Sequence, residues 1–129
     1  FQHFHEPPHV QVISFLDPMA DGYAVADLVV SRAGMITIAE LCAWGIPSIL
    51  IPLPTAAADH QTGNARAMEL AGAASLMLQS EMTGRRLGEE IGRFFDFPEA
   101  RREMADHARK RGRPDAARDI ATRLAALAG

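Results

Sequence analysis

Asp27-Leu-Val-Val-Ser31, then Met35 to Trp44 closed by Gly45, then Pro47-Ser-Ile-Leu-Ile-Pro52: these neighbouring stretches decide the fold. The first and last are near-continuous apolar runs without polar/apolar alternation, the pattern of strands buried on both faces and therefore parallel. Between them Ile38, Leu41, Cys42 and Gly45 recur at i, i+3, i+4 and i+7, which predicts a helix with one core-facing stripe. Working outward, Val10–Phe15 reads as a further short strand, Asp59–Leu70 as a helix ending at Ala71-Gly72, and Ala73–Leu78 as a last short strand. Strand, helix, strand, helix, strand is the alternation of a doubly wound α/β sheet. From Thr83 the pattern is helical to the end, broken at Phe97-Pro98 and at Gly112-Arg113-Pro114. The chain thus divides into an α/β part, residues 1–82, and C-terminal helices, residues 83–129.

Composition agrees with one ordinary soluble domain: 129 residues, 48% hydrophobic and 22% charged. No window approaches the ~18 uninterrupted apolar residues of a membrane-spanning helix. A single cysteine, Cys42, excludes an internal disulfide framework and fits a reducing compartment. The chain begins at Phe1 without a Met-led start, and is read as the later part of a longer protein. Net charge is −3, but residues 85–129 hold 11 of the 13 Lys and Arg against 8 of the 16 acidic groups, leaving this part at +3 and residues 1–84 at −6. Acidic residues are interleaved with those arginines and no aromatics alternate with them, so the pattern is that of solvated helices and not of a nucleic-acid surface.

Ligands of open parallel sheets bind outside the carboxyl ends of the strands, where loops lead into helix N-termini. Two such loops stand out. In Ser31-Arg32-Ala33-Gly34, the glycine allows a sharp turn and a close approach to a helix start whose free amides and dipole suit a phosphate. Arg32 is the only Lys or Arg before Arg66, so amides would do most of that work. Glu40, six residues beyond Gly34, lies about 9 Å along the helix axis, a reach that suits a ribose diol whose phosphates lie toward the helix start. The competing reading of Thr37-x-x-Glu40 is a capping box. The second loop ends in Asp59-His60-Gln61-Thr62-Gly63-Asn64, where an Asp N-cap and one helical turn bring His60, Gln61 and Asn64 together, and amides suit sugar hydroxyls. Its competing reading is a solvated first turn. His3, His5 and His9 lack convincing partners for a metal, Cys42 lies on the apolar stripe as a core residue, and no G-x-S-x-G elbow is present.

The runs Ala26-Asp-Leu-Val-Val-Ser-Arg-Ala-Gly34, Thr37-Ile-Ala-Glu40, Gly45-Ile-Pro-Ser-Ile-Leu-Ile-Pro-Leu-Pro54, Asp59-His-Gln-Thr-Gly-Asn-Ala65 and Ala71-Gly-Ala-Ala74 together closely resemble the MurG family. The resemblance runs from about Val10 to Ala74 and continues weakly through the C-terminal helices. It implies the Rossmann-like C-terminal domain of a GT-B glycosyltransferase, lacking its first strand or strands. That family moves N-acetylglucosamine from UDP-N-acetylglucosamine to the lipid-linked muramyl-pentapeptide of peptidoglycan synthesis, at the cytoplasmic face of the bacterial inner membrane. By position, the resemblance implies a main-chain contact from Leu16 to uracil with Met19 packing nearby, and a diphosphate at the turn of Gly34, Met35, Ile36 and Thr37 with Arg32 beside it. Further, Glu40 would hold the ribose hydroxyls, and Gln61 and Asn64 the sugar hydroxyls with His60 adjacent. Met35 departs from the small residue usual there. Catalytic base and acceptor site are expected outside these 129 residues, so no catalytic residue is assigned here and the chain alone is expected to be inactive. Neither metal nor cofactor is expected. Alternatives are another GT-B enzyme of UDP-sugars, such as a lipid galactosyltransferase or an epimerase, and a non-catalytic nucleotide-sugar-binding module.

Overall fold

The computed structural model describes residues 8–55, 59–113 and 115–128. Three short strands, β1 (Val29–Ser31), β2 (Ser48–Leu50) and β3 (Ser75–Leu76), form one parallel sheet in the order β1-β2-β3. Among the described residues six α-helices surround or follow it: α1 (Met19–Val25), α2 (Met35–Trp44), α3 (His60–Leu70), α4 (Gly84–Asp96), α5 (Pro98–Arg111) and α6 (Ala116–Ala128).

Register explains why the apolar runs lack alternation. Val29 pairs with Ser48, Ser31 with Leu50 and Leu50 with Leu76, which puts these side chains on one face. There Leu50 packs with Leu41 and Cys42 of α2 and Ala65 and Met68 of α3. The other face carries Ile49, Ile51 and Met77, which meet Phe94 of α4 and Met104 of α5. Covered on both sides, the sheet is doubly wound as expected. Full burial of side chains such as Leu41, Ile49 and Phe94 stabilises by about 1.5–3 kcal/mol each.

Helix ends follow local chemistry. Gly45 closes α2 at φ 67°, where a β-carbon would stand 2.3 Å from Arg109 Cγ, and its amide donates to Cys42 O at 3.1 Å. Gly72 repeats the device after α3 at φ 70°. Thr83 caps α4, its hydroxyl accepting from the Arg86 amide at 3.1 Å, and Pro98 opens α5. On α4, Glu90 accepts from Arg93 at 2.7 Å and from the Ser75 hydroxyl at 2.7 Å; the Arg93 contact first, with Ser75 adding to it, lowers its carboxyl from the ordinary value against the opposing effect of partial burial.

Two elements differ from expectation. Val10–Phe15 forms no strand; it is exposed, with Phe15 at 80%. β-propensity says only that such side chains fit a pleated surface, and a strand exists where a partner takes up its amides and carbonyls. No described strand offers that partner. The sequence reading also passed over α1, a seven-residue helix just after Pro18. His3 and His5 lie outside the described residues, as do Ala56–Ala58 of the second loop.

Ser48 is fully buried, and its hydroxyl has no hydrogen-bond partner among the described residues. An unpaired buried hydroxyl costs about 1–3 kcal/mol. Ser48→Ala is accordingly expected to raise the melting temperature, and a melt lowered by several degrees would show that the hydroxyl has a partner.

Candidate functional site

Polar groups converge at the carboxyl ends of β1 and β2, where the strands hand over to α2 and α3. The β1–α2 loop begins with Arg32, whose Nη1 donates to the carbonyls of Ile51 and Pro52, each at 3.3 Å. This ties the cation across the ends of both strands. Ala33 follows, fully buried, and Gly34 is the N-cap of α2. Ile38 makes the first intrahelical bond, to Gly34 O at 3.0 Å, so the amides of Met35, Ile36 and Thr37 are the unpaired donors of a helix start. Their orientation and the helix dipole favour an anion.

Gly34 does not have the backbone role expected of it. Its φ of −68° and ψ of 150° are ordinary extended values, open to any residue. What distinguishes it is space: a β-carbon built there meets nothing within 4 Å. Met35 and Ile36 are 76% and 77% exposed, so neither side chain is packed over the amides by the core. Met35 instead lines, with Ile38, Cys42, Asn64, Met68 and Arg111, a cavity of about 400 Å³ between α2 and α3. That cavity touches the loop cluster only through Met35 and Asn64; the convergence of polar groups, not this hollow, marks the candidate site.

Glu40 is not part of a capping box, since Gly34 is the cap and Thr37 is already the third helical residue. Its Oε2 accepts a hydrogen bond from the Tyr23 hydroxyl at 2.6 Å. Tyr23 comes from α1, is 8% exposed, and stacks at a tilt on Trp44 with ring centroids 6.2 Å apart. Burial first, then the hydrogen bond and charge of Glu40, push the phenol up to about 12, so it remains a donor throughout the neutral range. Leu16 lies against the same helix, with its Cδ2 2.5 Å from where a Gly22 β-carbon would be; Met19 opens α1 and is half exposed. α1 therefore joins Leu16, Met19 and Glu40 into one side of the site.

On the other side, α3 begins after Asp59, which takes a left-handed conformation (φ 56°, ψ 31°) and makes no bond to a helix amide. Its carboxylate accepts from the Thr62 hydroxyl at 2.7 Å, a local closure different from the expected N-cap. Gln61 and Asn64 reach back to the first loop. Gln61 Oε1 accepts from the amides of Ala33 at 3.2 Å and Leu53 at 2.9 Å, and Asn64 Nδ2 donates to Ala33 O at 3.1 Å. Both therefore brace the loops, leaving Gln61 Nε2 and Asn64 Oδ1 without a partner among the described residues. His60 is exposed and bonded to neither. Sequence reasoning missed Tyr23 because its partner is 17 residues away; the available signals were a lone tyrosine and a proline at a helix start.

Cys42 is buried beside Met68, with Sγ 3.7 Å from Sδ, and burial pushes its thiol up despite the opposing pull of Arg111. It belongs to the core and is not a poised nucleophile. Among the described residues no three His, Cys, Asp or Glu cluster as a metal site.

Several known proteins are similar to this chain. A UDP-N-acetylglucosamine--N-acetylmuramyl-(pentapeptide) pyrophosphoryl-undecaprenol N-acetylglucosamine transferase of Sorangium cellulosum is 47% identical over 118 residues, which cover 92% of this chain and 29% of that protein. A transferase of the same name from Salinibacter ruber is 42% identical over 123 residues, 95% of this chain and 33% of its own. The crystal structure of Acinetobacter baumannii MurG superposes with a TM-score of 0.77 at 36% identity, over 85% of this chain and 31% of that one. The chain thus spans about a third of the length of the relatives it matches. The resemblance read from the loop motifs holds across the whole α/β fold. Residues 1–120 match the glycosyltransferase family 28 C-terminal domain, and it is to this family that the chain belongs.

Proposed function

We propose that this chain is the donor-binding part of a transferase that moves N-acetylglucosamine from UDP-N-acetylglucosamine to the lipid-linked muramyl-pentapeptide. The observation that carries this reading is the open helix start at Gly34, flanked by Glu40 on one side and by the Gln61 and Asn64 amides on the other. A nucleoside diphosphate sugar needs those three chemistries in that order: acceptors for a ribose diol, donors for a diphosphate, mixed amide groups for sugar hydroxyls. The main chain at Leu16 and the side chain of Met19 would meet the uracil. Amides of Met35–Thr37, with Arg32 nearby, would take up charge as UDP leaves, while an acceptor hydroxyl attacks the anomeric carbon; donors placed where charge develops are worth more in the transition state than in the ground state. His60 stands beside the sugar. The attacking hydroxyl is the acceptor's own, and the base that takes its proton would come from chain outside these residues. A lipid-linked acceptor places the reaction at the cytoplasmic membrane surface, and among the described residues no helix is long and apolar enough to cross the bilayer.

Gly34→Ala tests the reading. Its backbone angles suit alanine and the space around it is open, so the melting temperature should hold while UDP affinity falls by about tenfold, the equivalent of ~1.4 kcal/mol, as the methyl group crowds the diphosphate. Unchanged UDP binding to a folded Gly34→Ala protein would remove the diphosphate from this helix start.

A further inference from the structure

We propose that Tyr23 is a positioning residue for the donor's ribose: its hydroxyl holds one oxygen of Glu40 so that the other is presented to the diol. The inference rests on the reading of Glu40 as the ribose-binding acid. Glutamate is a poor binding group when loose, because three torsions must be frozen when the ligand arrives. Here the freezing is done in advance. The Tyr23–Glu40 contact of 2.6 Å has the length of a charge-assisted O–H···O⁻ bond. Its donor is anchored, since the ring is buried in the same cluster as Leu41 and Cys42 and lies against Trp44. Glu40 is also held at its backbone by the middle of α2. Only Oε2 takes the tyrosine, and Oε1 makes no hydrogen bond among the described residues. A carboxylate fixed at one oxygen, with the other open, is a preorganised acceptor, and preorganisation raises affinity by removing ordering that binding would otherwise require.

α1 acquires a purpose from this arrangement. The same seven residues begin with Met19, back onto Leu16 through Gly22, and supply Tyr23. The segment proposed to meet the uracil and the group that orients the ribose acid are therefore neighbours on one short stretch of chain, which ties the base side of the site to the ribose side.

Binding of UDP and of 2′,3′-dideoxy-UDP to the intact transferase tests the idea, because the second ligand lacks the diol and keeps everything else. Tyr23→Phe retains the ring and loses only the donor. It should weaken UDP by ~3–10-fold, within the range of one hydrogen bond, and leave dideoxy-UDP unchanged. Equal weakening of both ligands, or of neither, would overturn the proposal, since a role confined to folding cannot distinguish them. Glu40→Ala in parallel should abolish the preference for UDP over dideoxy-UDP. If that preference survives in Glu40→Ala, the ribose reading itself fails and this inference with it; if Glu40→Ala removes it and Tyr23→Phe leaves it at its wild-type size, only the positioning role fails. Wild-type protein carrying 3-fluorotyrosine gives a second readout that does not depend on the variant folding. One fluorine resonance should shift more with UDP than with dideoxy-UDP, and identical spectra with the two ligands would overturn the proposal.

Discussion

Glu40→Ala is expected to weaken UDP binding in the intact transferase by about 1–3 kcal/mol, a span that takes in the ~1.5–3 kcal/mol of hydrogen bonds to a charged group. Two effects combine in this variant. The ribose loses its acceptor, and the Tyr23 hydroxyl, buried and donating to Glu40 at 2.6 Å, loses its partner. The second effect lowers stability whether or not a ligand is present. Glu40→Gln separates them, because the amide oxygen still accepts from Tyr23 while the negative charge is gone. Its melting temperature should stay closer to wild type than that of Glu40→Ala, with UDP affinity reduced in both. Calorimetric titration showing unchanged UDP affinity in Glu40→Ala would take Glu40 out of the site.

Gln61→Ala is expected to have the second large effect, and a different one from that of Asn64→Ala. From the sequence both residues read as sugar contacts that leave the nucleotide alone. Geometry divides them. Gln61 is the acceptor for the Ala33 and Leu53 amides, and the Ala33 amide belongs to a fully buried residue at the entrance to α2. Stranding such a donor costs about 1–3 kcal/mol, and the loop that presents the diphosphate-binding amides loosens with it. Gln61→Ala should therefore melt earlier and bind both UDP and UDP-N-acetylglucosamine more weakly. Asn64 gives the Ala33 carbonyl its one donor among the described residues, and a carbonyl left without a partner is tolerated somewhat more readily than an orphaned amide. Asn64→Ala should raise KM for the donor sugar while free UDP inhibits nearly as before. Equal losses of UDP inhibition in the two variants would contradict this division.

Much of the fold was legible in the chain because its determinants are local. Val29–Ser31 and Ser48–Leu50 announce themselves by apolar continuity; the second is buried throughout and has no solvent side on which to place polar residues, while the first keeps its apolar run although Val30 is 39% exposed. α2 runs over the residues expected, Met35–Trp44, because a stripe with 3.6-residue spacing ends at a glycine able to adopt positive φ. The breaks at Phe97-Pro98 and beyond Arg111 needed only the conformational limits of proline and its neighbours. Of the candidate site residues, those of the two loops and Glu40 were visible as motifs, whereas Leu16 and Met19 rested on the family resemblance alone.

Their division of labour was not. Sequence by itself determined which residues stand at the carboxyl ends of the strands; only the tertiary structure decided what each is already bound to. Tyr23 finds Glu40 across 17 residues, and Gln61 and Asn64 find Ala33 across 28 and 31. Val10–Phe15 makes the same point from the other side, with strand-forming residues and no described strand to pair with. Helical periods and turn residues act between neighbours a few positions apart, whereas a ladder partner or a hydrogen-bond acceptor is supplied by whatever the folded chain brings within about 3 Å.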